Sequence, residues 1–242
     1  MRAESLKRGS RRAFLAAAGA AGAAALSGGC LSPRGRRGRP ARFRGAGGRL
    51  CVGVIGAGGR GAFNLAEACE SDVTIAALCD VDEAALLAGR EKAAKRSPGV
   101  RLYKDFRVML EAEKTLDAVI ISTPDHGHGL QAAWALERGC HVYLEPPAVR
   151  TLDELRRLRE KAGACGAVIQ VGDSICATEE YRRATEILRS GLLGAVTEAH
   201  VWTSRPVWPQ GLRRPEGSDP VPPALDWDLW LGGAPQRPFR TR

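Results

Sequence analysis

Four groups of residues in this sequence have the types and spacing to do chemistry. The string Gly56-Ala57-Gly58-Gly59-Arg60-Gly61 has the pattern G-x-G-x-x-G and lies between a short apolar run, Leu50–Ile55, and a helical pattern from about Ala62 to Cys69. In that setting each glycine has a physical task. Gly56 permits a tight turn, Gly58 lets the backbone approach a pyrophosphate, and Gly61 allows helix to pack closely on strand, while the helix N-terminus offers amide donors to an anion. The second group is Asp80, at the end of the apolar run Val73–Cys79, about 20 residues beyond the glycines, where the dinucleotide fingerprint wants a carboxylate. A carboxylate there can accept hydrogen bonds from ribose hydroxyls and repels a 2′-phosphate, favouring NAD over NADP, with Arg60 as an offsetting charge. Capping a helix is the other role open to Asp80. The third group is Ser122-Thr123-Pro124-Asp125-His126-Gly127-His128, and the fourth is Glu145-Pro146-Pro147. The two histidines could form an H-x-H metal pair, but no further ligand cluster supports one, so no metal is expected.

These groups need a scaffold, and the pattern between them supplies it. Val100–Tyr103, Asp117–Pro124, His141–Glu145 and Val168–Val171 read as further strands. Asp105 is placed to cap the helix after the third, and a helix is expected at about Gly129–Arg138. Thr151-x-x-Glu154 is a capping box opening a helix with Leu152, Leu155 and Leu158 on one face. Strands alternating with helices imply right-handed crossovers and an α/β fold with a Rossmann-type, doubly wound parallel sheet. Ligands of such sheets bind at the carboxyl ends of the strands, where all four groups fall.

The charge of the chain belongs elsewhere. Its formal net charge is +9, but the first fifty residues hold twelve basic residues and one acidic residue, leaving 24 basic and 26 acidic residues for the rest. A mildly acidic body excludes a globally basic nucleic-acid-binding domain. Residues 1–30 read as an export signal: a basic start, then Ser10-Arg11-Arg12-Ala13-Phe14-Leu15, then an uncharged stretch to Leu26 that is too short and too Ala-rich to span a membrane. The Ser-Arg-Arg-x-Phe-Leu string resembles a twin-arginine translocation signal, which implies the export machinery as a partner and an extracytoplasmic location. Cys30, after small residues, is a candidate for lipidation. Residues 31–49 read as an Arg/Gly-rich spacer whose only aromatic residue is Phe43, too few for nucleic-acid stacking. None of the seven cysteines lies in a C-x-x-C pair, so buried free thiols are expected.

Taken in order, these blocks resemble the Gfo/Idh/MocA family, the glucose–fructose oxidoreductase and inositol dehydrogenase group. The glycine string, Cys79-Asp80-Val81-Asp82, Ser122–His128, Gly139–Pro147, Ser190-Gly191-Leu192-Leu193-Gly194 and Leu225–Gly232 carry the likeness. The last resembles members with twin-arginine leaders. The resemblance implies an NAD(P)-binding domain over residues 50–172 and the beginning of a substrate domain over 173–242. It also implies a nicotinamide dinucleotide cofactor and a sugar or polyol as the second small-molecule partner, and it leaves homo-oligomers open. Thr123, Pro124 and His128 would line the ribose–nicotinamide part of the site, and Glu145 would approach the nicotinamide ribose.

Two departures from the family pattern bear on activity. The family carries Glu-Lys-Pro after the fifth strand, with the lysine near the substrate carbon; Pro146 occupies that lysine's place here. Proline has neither a titratable group nor an amide proton, and losing a positioned acid–base group commonly costs about 10²–10⁴ in rate. Family members also continue into a large open-faced sheet bearing an Asp and a His, of which Glu198–Trp202 reads as one strand, so the substrate domain reads as incomplete. The expected function is hydride transfer to or from a carbohydrate-like hydroxyl. The alternatives are a non-catalytic nucleotide-binding protein, a truncated pseudoenzyme, and a fragment of a glycosidase-like member that uses NAD internally. The apolar block around Trp202, Trp208, Trp227 and Trp230 either lacks its partner sheet or packs back on the nucleotide domain.

Overall fold

Apolar side chains alternate along the central strands of this protein and fill both faces of one sheet. The computed structural model describes residues 48–204, 211, 213 and 215–241; the predicted export signal, the spacer up to residue 47, Cys30 and Trp208 lie outside the described residues. Six strands, β1 (Leu50–Ile55), β2 (Val73–Cys79), β3 (Arg101–Tyr103), β4 (Ala118–Ile121), β5 (His141–Leu144) and β6 (Ile169–Val171), pair in the order β3-β2-β1-β4-β5-β6. Every pair is parallel. The order reverses between β1 and β4, which opens a crevice at their carboxyl ends.

Five helices cover this sheet: α1 (Gly59–Cys69), α2 (Glu83–Ala94), α3 (Phe106–Ala112), α4 (Asp125–Glu137) and α5 (Leu152–Cys165). Val52, Val54, Ile75 and Leu78 point to one face and pack with Leu65 and Ala68 of α1 and Leu86 of α2. Ile55, Val119, Ile121, Val142 and Leu144 point to the other, against Met109 of α3, Ala132 and Leu136 of α4 and Leu158 of α5. The two-residue period, shifted by one residue at an irregularity in β2 between Ile75 and Ala77, thus sends α1 and α2 to one side and α3, α4 and α5 to the other.

Helix starts follow the side chains available. Asp82 caps α2, accepting from the Ala84 amide at 2.9 Å, and Asp105 caps α3 through the Arg107 amide at 2.8 Å. Thr151 accepts from the Glu154 amide at 3.2 Å, but the Glu154 carboxylate reaches one residue further back than in a standard box, to the Arg150 amide at 2.8 Å. Two starts differ from the sequence-based expectation. α1 begins at Gly59 rather than near Ala62, and α4 begins at Asp125, so His126 and His128 lie in a first helical turn rather than a loop. Pro124 with a negative Asp125 behind it is well suited to start a helix.

The chain divides into two compact units after Gly172. Pro222–Gln236 clusters with the sheet, including the short helix α7 (Trp227–Leu231), while Asp173–Val221 and Arg237–Arg242 form a second unit. In that second unit Thr178 caps helix α6 (Glu179–Arg189), none of whose residues is buried. The strand expected at Glu198–Trp202 does not form: these residues are exposed and pair with no described strand. A single extended segment gains no ladder hydrogen bonds without a neighbour.

One histidine ties the fold to pH. The amide of Val168 donates to His141 Nδ1 at 3.0 Å, and burial lowers the His141 pKa against the opposing pull of Asp117. The folded state therefore binds fewer protons than the unfolded state as pH falls below the ordinary histidine range, so this contribution is present above that range and lost on acidification. Urea midpoints measured from pH 7.5 downward to about 5 should fall, and the slope should flatten in His141→Gln.

Candidate cofactor site

The crevice is built from the turn that follows β1. Gly56 has φ +86°, and a side chain there would meet the Ser122 carbonyl at 2.7 Å. A Cβ at Gly61 would overlap the Gly56 carbonyl oxygen itself. Both positions need glycine: the first for its backbone conformation and packing, the second for packing alone. Gly58 is the N-cap of α1, with no side-chain capping bond and no acidic residue in the first turn. α4, which follows β4, also lacks a side-chain cap. The other described helices are capped by Asp or Thr. The two helices flanking the reversal point are therefore the ones without a side-chain cap, and at α1 the dipole favours an anion.

Asp80 is not a helix cap; Asp82 has that role. Asp80 Oδ2 accepts from the amides of Ala57 at 2.7 Å and Gly58 at 3.1 Å, and Oδ1 accepts from the Asp82 amide at 3.0 Å. The carboxylate holds the glycine turn from below and keeps lone pairs for further donors, since two carboxylate oxygens offer about four acceptor sites. Beside it, burial pushes the Cys79 thiol well above its usual range, so it stays an inert apolar group.

Glu145 sits across the crevice, held from α1. Asn64 donates from Nδ2 to Glu145 Oε1 at 2.7 Å and to Ser122 Oγ at 2.9 Å. Arg60 Nε lies 3.3 Å from the same Glu145 oxygen, with the Arg60 side chain 43% exposed. An exposed pair of that kind contributes about 0–1 kcal/mol, against about 1.5–3 kcal/mol for a buried bond to a charged group, so Asn64 is the stronger hold. Asn64 went unread in the sequence. Its signal was a polar residue at the helical spacing of the buried positions Gly61, Leu65 and Ala68.

Thr123 Oγ1 donates to Gln131 Oε1 at 2.6 Å, and Pro124 is exposed at the mouth. His128, expected to line the ribose–nicotinamide part of the site, follows β4 in the first turn of α4. It is 1% exposed, with Nδ1 2.8 Å from the Pro147 carbonyl oxygen and Nε2 2.7 Å from that of Thr123. Its ring ties the β4–α4 connection to the β5–α5 connection, because each nitrogen lies within hydrogen-bond distance of a backbone carbonyl from one of them. His126 is the partly exposed one of the pair, with Nε2 2.8 Å from the Trp230 carbonyl oxygen. Among the described residues no group of three or more His, Cys, Asp or Glu side chains is placed to hold a metal ion.

A parallel sheet reversing between β1 and β4, a glycine turn with open amides and an acidic residue closing β2 define a dinucleotide-binding Rossmann domain. The cradle fits a dinucleotide: Gly58 presents bare backbone where a side chain would crowd Ala85, and the first turn of α1 carries no acidic residue of its own. The family model GFO_IDH_MocA, described as an oxidoreductase family with an NAD-binding Rossmann fold, matches residues 50–173, just over half of the chain. The chain belongs to that family. A glycosyl hydrolase family 109 protein of Solibacter usitatus is 31% identical over 158 residues, covering 62% of this chain and 36% of its own. The inositol 2-dehydrogenase of Leifsonia xyli subsp. xyli is 31% identical over 190 residues, covering 77% and 54%. The crystal structure of myo-inositol dehydrogenase from Lactobacillus casei with NAD(H) and myo-inositol matches at TM-score 0.55 and 25% identity, over 61% of this chain and 43% of that one. The chain thus spans roughly a third to a half of the length of these relatives.

Gly61 offers a direct check of this site. Gly61→Ala should force α1 off the turn, lowering stability by about 1–3 kcal/mol in a denaturant melt and abolishing dinucleotide binding. A variant that keeps both would show that the close approach does not matter.

Proposed function

We propose that this chain binds NAD in the crevice above β1 and β4 and serves hydride transfer to or from a hydroxyl of a sugar or polyol. The observation that carries the reading is the uncapped start of α1 beside a glycine turn held by Asp80. The amides of α1 would hold the pyrophosphate, Asp80 the adenosine ribose, and Thr123, Pro124 and Glu145 the nicotinamide side. When bound, the nicotinamide supplies the hydride chemistry; these residues bind and orient it. Family relatives named as inositol dehydrogenases support a polyol as the second partner.

Pro146 limits this proposal. It stands where the family's lysine is expected and can neither give nor take a proton. A second reading, NAD held as an internal redox cofactor in a glycosidase-like member, draws on the relatives named glycosyl hydrolase family 109 proteins. A protein that binds the dinucleotide without turnover is the third.

Titration with NADH and NADPH, followed by turnover over a panel of polyols and aryl glycosides, separates the three. NADH should bind at least about tenfold tighter than NADPH, a difference of about 1.4 kcal/mol, and Asp80→Ser should narrow the ratio. Polyol-dependent reduction of NAD supports the first reading, and glycoside cleavage without net reduction the second. Binding with neither favours the third, and no binding of either nucleotide defeats all of them.

We also propose that the protein is exported through the twin-arginine pathway, as the string Ser10–Leu15 supports. A folded reporter carrying residues 1–49 should leave the cytoplasm, and replacing Arg11 and Arg12 by Lys should retain it there.

A further inference from the structure

We propose that Pro222–Gln236 forms a cover over the dinucleotide crevice, with the stacked Trp227–Trp230 pair facing bound NAD(H). The inference rests on the reading of this crevice as an NAD site. No residue of this segment belongs to the glycine turn, Asp80, the β4–α4 turn or Glu145, yet it is pinned to the sheet edge at two points. At one end the Glu83 amide donates to the Ala224 carbonyl at 3.0 Å, the Asp226 amide donates to the Val81 carbonyl at 2.9 Å, and Leu225 forms an antiparallel bridge with Asp82. That end sits on the turn after β2, two residues from Asp80. At the other end Trp230 offers its carbonyl to His126 Nε2 at 2.8 Å, and the two rings lie 5.1 Å apart. That end sits on the first turn of α4, after β4.

β2 and β4 are the two neighbours of β1 in the sheet. A segment fastened beyond both of them crosses the carboxyl end of β1, above Gly56–Gly61. Two strand spacings are about 9.6 Å; five residues rising as a helix cover about 7.5 Å of this, and the His126 side chain reaches toward Trp230 across the rest. It also passes from the α2 side of the sheet to the α4 side, as a dinucleotide does when its two halves lie on either side of the reversal point.

The segment is built to hold this place. Asp226 caps α7 through the Leu229 amide at 2.9 Å, and Leu231 is fully buried. Trp227 and Trp230 stack at 4.7 Å with 15° between their planes, and both are only partly buried. Planar indoles left partly open suit the flat rings of a dinucleotide better than they suit water.

Hydrogen exchange on the full chain with and without saturating NADH tests the inference. The amides of Asp226, Leu229 and Trp230 should exchange at least about tenfold more slowly when NADH is bound, together with those of Gly58–Ala62. Slowing at Gly58–Ala62 but not in the segment overturns the cover while leaving the NAD site intact. No slowing at either place overturns both. In parallel, Trp230→Ala and Trp227→Ala should each weaken NADH binding by roughly 3- to 30-fold. Unchanged or tighter binding in these variants would mean that the segment stands aside from the cofactor or obstructs it, and would sink the proposal.

Discussion

The approach of α1 to the turn after β1 leaves no room for a side chain at Gly61, and most polar groups in the crevice take their positions from that contact. With the helix seated there, Asn64 comes one turn later to the point where its amide reaches both Ser122 and Glu145. Arg60 comes out on the open side, near the same carboxylate. Protein interiors transmit small displacements because they are close-packed. A helix pushed outward by one methyl group would therefore loosen β4, β5 and the glycine turn together.

Helix ends show how the site is set apart from the rest of the sheet. Where a helix start has only a structural task, an Asp or Thr side chain occupies its first amides, as at α2, α3 and α5. At α1 that side chain is missing, and Asp80 instead grips the turn just before the helix. The acidic group is close enough to shape the anion site but is committed to the amides of Ala57 and Gly58. Electrostatics and backbone geometry thus agree in leaving the start of α1 without a side-chain cap, where a helix dipole favours an anion.

The second compact unit contrasts with this. Its helix α6 buries nothing, and Leu192, Val201 and Trp202 are exposed. Leu231 and the Trp227–Trp230 pair, later in sequence, are drawn to the sheet edge because hydrogen bonds to Val81, Glu83 and His126 receive them there. Burial of one leucine contributes about 1.5–3 kcal/mol, comparable to those bonds together, so neither acts alone.

Residue order by itself determined the strands and the glycine turn: apolar runs ending in Gly or Asp, and glycines where only glycine fits, are local features that any chain must satisfy locally. The bounds of β1 and β2 could be read directly, as could the caps at Asp105 and Thr151. Long-range hydrogen bonds could not. That Asp80 would bind the glycine turn, that Asn64 would hold Glu145, and that His128 would be buried behind the wall depend on partners 22, 81 and 19 residues away. Glu198–Trp202 has the composition of a strand and remains unpaired, because a strand exists only with a neighbour. The return of Pro222–Gln236 to the sheet was likewise decided by tertiary structure: its anchors are backbone groups, which every residue carries and no side-chain pattern announces.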